Sequence, residues 1–483
     1  MTSWVWFPCL SALISNTLAT ELAGLFTPAG QRHYTAHLPP SARPMVPHLT
    51  TALTGPLLEL ERQVTEAQGD IEHWLRRQWL THPAPFYSSV DLRNAGFKLA
   101  PVDTNLFPGG FNNLNPDFLP LAVQAAQVAV EKMCADARRF LIIPENHTRN
   151  LYYLQNVASL ADIIGKTGLS VRIGSLIPDL TEPLALDLPD GRRLLLEPVR
   201  REGNRLMLGT QQAFDPCSIL LNNDLSAGAP AILQGLDPTQ IMLPPLHAGW
   251  ATRSKDKHFS AYDEVARAFA GLIGIDPWTI NPYHALCDEV DFQARLGEEC
   301  LADHVTAMLA RIQVKYAEYG ITRAPFVIVK ADAGTYGMGI MSVKSPDDVR
   351  DLNRRQRNKM AVVKEGLSVT QVLVQEGVPT YENLNEAVAE PVVYMIDHFV
   401  IGGFYRVHTS RGDDENLNAP GMHFVPLAFD ESGSFCDCGD RPDSPVNRFY
   451  TYGVLARLAA LAAAIELEKT APESPHPGKV EAS

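Results

Sequence analysis

Nowhere in its 483 residues does the chain carry an unbroken apolar run of the length that crosses a bilayer, about 18 residues or more. A membrane-spanning helix is therefore not expected. The apolar N-terminus, MTSWVWFPCLSALISNTLA, has no Lys or Arg ahead of its apolar part, so it does not read as a secretory signal peptide. Positive charge is also in short supply. Lys and Arg number 41 against 55 Asp and Glu, a formal net charge of −14. Nucleic acids and anionic membranes demand a basic footprint, so neither is expected as a partner. A small anionic ligand needs only a local basic pocket and stays open. Cysteine is sparse and odd in number. Seven are scattered along the chain, which fits a reduced, cytoplasmic protein rather than a disulfide framework. Cys436 and Cys438 stand closer together than the usual metal or redox pairs.

What is present is enough apolar residue, 46%, to bury one large core or two to three domains. The most informative stretch is PFVIVKADAGTYGMGIMSV at 325–343. A short β-branched run, the composition of a buried strand, ends on Lys330. A loop with Gly334, Gly337 and Gly339 follows, and a second strand-like run returns. Glycines let backbone approach an anion, successive N–H groups can point at its oxygens, and lysine adds a point charge. A P-loop would need Gly-Lys-Ser/Thr at a helix start, and a dinucleotide fingerprint a third glycine opening a helix; this loop has neither. A plain β-hairpin with a flexible tip remains the alternative.

The order lysine, glycine loop, strand resembles the ATP-grasp ligases, and three later stretches extend the likeness. VLVQEGV at 372–378 resembles the linker strand that reads adenine and ribose. EPVVYMID at 390–397 with GFYRV at 403–407 resembles the paired strands that carry a phosphate-binding arginine. NLNAPG at 416–421 resembles the substrate-side polar loop.

In the N-terminal half, residues 28–56 hold six prolines and read as linker. A helical apolar stripe follows, from Leu57 to Trp74. FYSSVDLRNAGFKLAPVDTNLFPGGFNN at 86–113 mixes Asp, Asn, Arg and Lys with Phe and Leu. Such a mixture suits a ligand-lining segment, the alternative being a well-bonded surface loop. Helix and strand patterns then alternate to about residue 221, which predicts an α/β unit with a mainly parallel sheet. Polar clusters at 145–150 and 222–224 fall at strand ends, where such sheets bind ligands. Turn chemistry and helix capping would serve equally well. Arg253, Lys255, Lys257 and His258 form a cationic knot in an acidic chain, either a solvated charge run or an anion site. Helical patterns at 261–272, 298–319, 345–359 and 452–469 complete the chain.

Taken together, the 86–113 stretch, the 253–258 knot and the glycine loop resemble the proteobacterial glutamate–cysteine ligases of ATP-grasp type, over about residues 50–465. The resemblance implies an α/β fold class, an α+β ATP-grasp nucleotide domain (321–470) preceded by an α/β substrate domain (51–320). An N-terminal extension or linker (1–50) and a disordered tail (471–483) flank them. It implies an enzyme of the first step of glutathione synthesis, joining L-glutamate through its γ-carboxylate to L-cysteine with ATP and Mg²⁺. Lys330 and Arg406 are then expected to be catalytic. Lys330, Gly334, Thr335, Tyr336, Gly337, Gly339, Gln375, Glu376 and Val378 are expected to hold ATP. Arg93, Lys98, Asn105, Asn112, Arg253 and Lys255 would meet the amino acids. The Glu-x-Asn that many such enzymes use for metal is not evident after Arg406, so Glu390, Glu415, Asn416 and Asn418 are the candidate oxygen ligands. Another ATP-grasp carboxylate–amine ligase, of glutathione-synthetase or peptide-ligase type, and a non-catalytic nucleotide-binding regulator are the alternatives.

Overall fold

The computed structural model describes residues 49–50, 55–146, 148–209, 213–333, 339–361, 368–427 and 448–472. The chain begins with β1 (Leu49–Thr50), α1 (Pro56–Glu66), α2 (Gln68–Thr81), β2 (Tyr87–Asn94) and β3 (Leu99–Asn105). It continues through α3 (Leu119–Met133), β4 (Arg139–Pro144), α4 (Leu151–Gly165), β5 (Ser170–Ser175), β6 (Leu184–Asp187), β7 (Arg193–Glu202), β8 (Arg205–Leu208), β9 (Ser218–Asn222) and β10 (Ile241–Leu243). Then come α5 (Lys255–Ile273), β11 (His284–Cys287), α6 (Glu298–Glu318), β12 (Val327–Ala331), β13 (Ile340–Val343), α7 (Asp347–Arg350), α8 (Arg354–Met360) and β14 (Val372–Glu376). The chain closes with β15 (Asn383–Leu384), β16 (Ala387–Ile396), β17 (Phe399–His408), β18 (His423–Pro426) and α9 (Arg448–Thr470).

The strands form three sheets. In the first, β10, β9, β4, β5 and β7 run parallel, with β6 and β8 added antiparallel on β7. This is the sheet expected from the strand–helix alternation. The second is a four-stranded antiparallel sheet in the order β11-β14-β12-β13. The third runs β1-β15-β16-β17-β18, with β2 and β3 attached to β16. Most of the 86–113 stretch is thus a strand pair, Tyr87–Asn94 and Leu99–Asn105, followed by a loop, and a segment from the N-terminal half completes a sheet built from the C-terminal half. Two antiparallel sheets, one of four strands and one of seven, thus accompany the parallel one.

Burial explains why these residues take these forms. Alternate residues of β16 serve different cores. Val393 and Met395 pack with α1, α2, α5 and α9, while Val392, Tyr394 and Ile396 pack with α3 and α4. A strand covered on both faces must be apolar throughout, and AVAEPVVYMI nearly is. Helix α9 is buried on every side, from Val454 through Ala464 apart from Arg457, which fits its alanine-rich composition. It is long and apolar enough to cross a membrane, but 78% of its apolar window is covered by the protein itself. A third core joins α6 to the four-stranded sheet.

Candidate functional site

A cavity of about 810 Å³ opens between the parallel sheet and the two antiparallel ones. Every sheet contributes wall by its local geometry. In β2 the period-two alternation sends Ser89, Asp91 and Arg93 to one face, and all three line the cavity. From β3 come Asp103 and Asn105. The parallel sheet presents Glu145 and Asn150 beyond β4, and Asn222 and Asp224 at the end of β9, as open α/β sheets do at their strand C-termini. Lys330 stands on β12, Gln375 and Glu376 on β14, Glu390 on β16 and Arg406 on β17.

The centre of the wall is a buried ion cluster. Arg406 donates from one nitrogen to Asp91 Oδ2 and to Glu390 Oε1, each at 2.6 Å. Arg93 Nε donates to Glu390 Oε2 at 2.8 Å. Burial works to raise the Glu390 carboxyl, yet Arg93 and Arg406 together hold it below the ordinary range. For Asp91 burial prevails over Arg406 and pushes the carboxyl up. Burial opposes the charge of Arg406, but Asp91 and Glu390 outweigh it and hold the guanidinium firmly protonated.

A second charged group surrounds Lys330. Its ammonium donates to the Val102 carbonyl at 2.9 Å and lies over the Phe259 ring. Burial pulls it below the usual lysine range against Asp103, Asp91 and Asp332. Lys255 is pulled down to about 8, again chiefly by burial, with Asp103 opposing. Asp103 feels burial too, but Lys330 and Lys255 outweigh it and keep its carboxyl low.

Buried donors are normally satisfied, and three on this wall have no hydrogen-bond partner among the described residues. They are Arg406 Nε, Gln375 Nε2 and Trp250 Nε1. A cavity lined by lysine and arginine, with spare donors, suits a ligand rich in acceptor oxygens.

The cavity brings together Lys330, Arg406, Gln375, Glu376, Val378, Arg93, Asn105, Asn112, Lys255, Glu390, Asn416 and Asn418. Four expected residues are not among those that line it: Lys98, Arg253, Glu415 and Gly339. Lys98 is buried off the wall, 2.8 Å from Glu376 Oε2 and over the Trp278 ring. With Trp278 Nε1 and the Tyr283 N–H also donating to it, the Glu376 carboxylate is committed inside the protein. Arg253 grips Glu466 with two nitrogens, each at 2.8 Å, and donates to the Thr104 carbonyl. The cationic knot is thus the start of α5, capped by Ser254, rather than a charge run in solvent; Lys255 and His258 are buried there. Glu415 pairs with Arg411 and accepts from the Gly412 N–H, a half-exposed arrangement off the wall.

Arg93 lines the cavity, but its donors are spent on Glu390 and on the carbonyls of Val378, Asp413 and Glu415. Gly339 has φ 62° and accepts from the Ala331 N–H, closing the β12–β13 hairpin. Gly334, Thr335, Tyr336 and Gly337 lie outside the described residues. Sequence reasoning passed over Asp91 and Asp103. The alternation of YSSVDLRN carries Asp91 onto the same face as Arg93, a signal available only once that stretch is read as a strand.

Comparison with known proteins decides the family. The glutamate–cysteine ligase family profile matches residues 61–467. The chain belongs to the glutamate–cysteine ligase family. A solved structure from Methylobacillus flagellatus KT, a candidate γ-glutamylcysteine synthetase, has 68% sequence identity and a TM-score of 0.81, covering 88% of this chain and 99% of its own. More distant are a glutathione synthetase-like effector of Globodera pallida (10% identity, TM-score 0.35, 77% of this chain and 84% of its own) and D-alanyl-alanine synthetase A of Vibrio cholerae (11%, 0.25, 67% and 81%). Comparison with curated protein sequences gives no match. The ligase uses ATP and acts on small molecules, glutamate and cysteine, in glutathione biosynthesis.

Proposed function

We propose that the cavity makes γ-glutamylcysteine by way of a γ-glutamyl phosphate. A carboxylate is a poor acyl donor. Transfer of the γ-phosphoryl group of ATP to the glutamate γ-carboxylate creates a good leaving group and releases ADP. The cysteine amine then attacks the carbonyl carbon, loses a proton, and expels phosphate. Little of this needs a nucleophilic side chain; it needs positioning and positive charge around the phosphates. The observation that carries the reading is that Lys330 and Arg406, both buried, face one cavity in which Arg406 Nε has no hydrogen-bond partner among the described residues.

Lys330 meets the α- and β-phosphates in this reading. The backbone of the glycine loop, through Gly339, covers the β- and γ-phosphates, and the unpartnered Gln375 amide and Val378 hold the adenine. Arg406 steadies the phosphoryl group in flight. Glutamate and cysteine lie toward Asn105, Asn112 and Lys255 and the ends of β4 and β9. Residues 51–320 would supply most amino-acid contacts and 321–470 most nucleotide contacts, with β2 and β3 crossing between the two roles. A cytoplasmic setting fits the reduced thiols.

Two carboxylates, Asp91 and Glu390, converge on a single cationic nitrogen at 2.6 Å each. That donor chemistry fits a hard divalent cation such as Mg²⁺, which Asp91, Glu390 and Asn418 would hold once Arg406 turns to the phosphates. Such an ion would supply charge neutralisation to the phosphates.

The test is ADP release over a panel of amino-acid pairs, with the product identified by mass. Release that requires both glutamate and cysteine supports the reading; release with another pair replaces it. Lys330→Ala should keep the fold, by circular dichroism, and lose on the order of 10²-fold or more in kcat/KM for ATP. Undiminished turnover in that variant would remove Lys330 from the site.

A further inference from the structure

Away from the cavity, one group of side chains has the chemistry of a soft-metal site. Cys287 closes β11, while Cys300 and His304 sit at i and i+4 on one face of α6. The two sulfurs are 3.7 Å apart. His304 Nδ1 lies 3.7 Å from Cys300 Sγ, and one ligand atom from each residue falls within 4.8 Å of the others.

A tetrahedral ion with metal–sulfur bonds of about 2.3 Å holds two thiolates roughly 3.8 Å apart. The separation here matches that without rearrangement. A disulfide would require the sulfurs to close to about 2.05 Å and would leave the imidazole without a role. The ring is held beside the sulfurs by its Nδ1, 2.8 Å from the Cys300 carbonyl oxygen. The nitrogen beside the sulfur is this same Nδ1, so metal binding through it exchanges the carbonyl contact for the ion. Cys287 is buried, His304 half-buried and Cys300 exposed, so the group is anchored on one side and open to solvent on the other.

We propose that Cys287, Cys300 and His304 bind one thiophilic divalent ion of the Zn²⁺ or Cd²⁺ class, with a solvent molecule as fourth ligand. The ion clips the start of α6 to the end of β11. Cys287 is paired with Val372 at the start of β14, whose far end brings Gln375 and Glu376 to the cavity. The metal site and the nucleotide wall therefore share one sheet.

The experiment uses the full-length, reduced, metal-free protein titrated with Co²⁺ and then Zn²⁺. One equivalent of Co²⁺ should produce sulfur-to-cobalt charge-transfer absorption with tetrahedral d–d bands, and Zn²⁺ should displace it. Cys300→Ser, at an exposed position, should fold normally, keep ligase activity and lose the charge-transfer band. His304→Ala should keep the sulfur band but bind more weakly, by about tenfold or more. Cys436→Ser/Cys438→Ser should leave the signal intact. Hydrogen exchange across residues 288–297 should slow on Zn²⁺ addition in the wild type but not in Cys300→Ser. Absence of the band in fully reduced protein, its survival in Cys300→Ser, or its loss in the Cys436/Cys438 variant would each overturn the assignment.

Discussion

Arg253 and Arg93 show how burial settles what one side chain can do. An arginine in a polar cluster is the natural candidate to grip an amino-acid carboxylate, because its fork matches two oxygens. Arg253 already holds such a carboxylate, that of Glu466, and both are nearly fully buried. Burial opposes the charge on Glu466, but Arg253 overcomes it and the carboxyl falls to about 2. Arg253→Ala should therefore act on stability, since it strands a buried anion; a loss of about 3–5 kcal/mol is expected in urea unfolding. A raised KM for glutamate at unchanged stability would return Arg253 to the substrate. Lys255 behaves differently because it faces the cavity. Its folded value is about 8 against an ordinary 10.5, so it is cationic below pH 8 and neutral above. The KM for an anionic substrate should climb as pH passes 8, and Lys255→Arg should flatten that rise. The unfolded chain holds this proton up to pH 10.5 and the folded one only to about 8. The contribution of this group to stability therefore increases with pH across that window.

Among elements, β14 matters most. Lys330 on neighbouring β12 is paired with Leu373, and Ile328 with Gln375, so the register of this sheet sets the distance between the lysine and the Gln375 amide. Gly377 continues β14, and its N–H donates to the Phe326 carbonyl at 2.9 Å. A Cβ at this position would lie 2.3 Å from two carbons of the Phe326 ring, which is buried. Gly377→Ala should cost about 1–3 kcal/mol through overpacking and weaken ATP binding with it, measured by thermal melting and nucleotide titration. A variant of unchanged stability and affinity would show that the ring moves freely aside.

At the scale of the molecule, the cavity exists because three sheets meet around it. A nucleotide bound there, as proposed, would touch strands of separate sheets, which the folded protein alone presents together. ATP at about 100 times its Kd should add about 2.7 kcal/mol of stability by mass action, read as a rise in Tm. The rise should vanish in Lys330→Ala. A Tm indifferent to ATP in the wild type would mean that the wall described here is not the nucleotide site.

Most elements were legible in the chain itself. The alternating helices and strands of residues 119–222 and the β12–β13 hairpin announce themselves through apolar period, and the glycine loop through composition. Such signals are local, because a strand or helix is written in its own period. The family likeness likewise rests on short motifs in order. What the sequence could not contain is which charges face each other. Arg253 and Glu466 lie far apart in the chain yet share one buried pair, and so do Lys98 and Glu376. Asp91 acquires its place beside Arg406 only because β2 pairs with β16. The tertiary structure decided these, and the reason is electrostatic. A buried charge must find its counter-charge wherever the fold brings one, so sequence proximity does not tell a substrate-binding cation from a structural one.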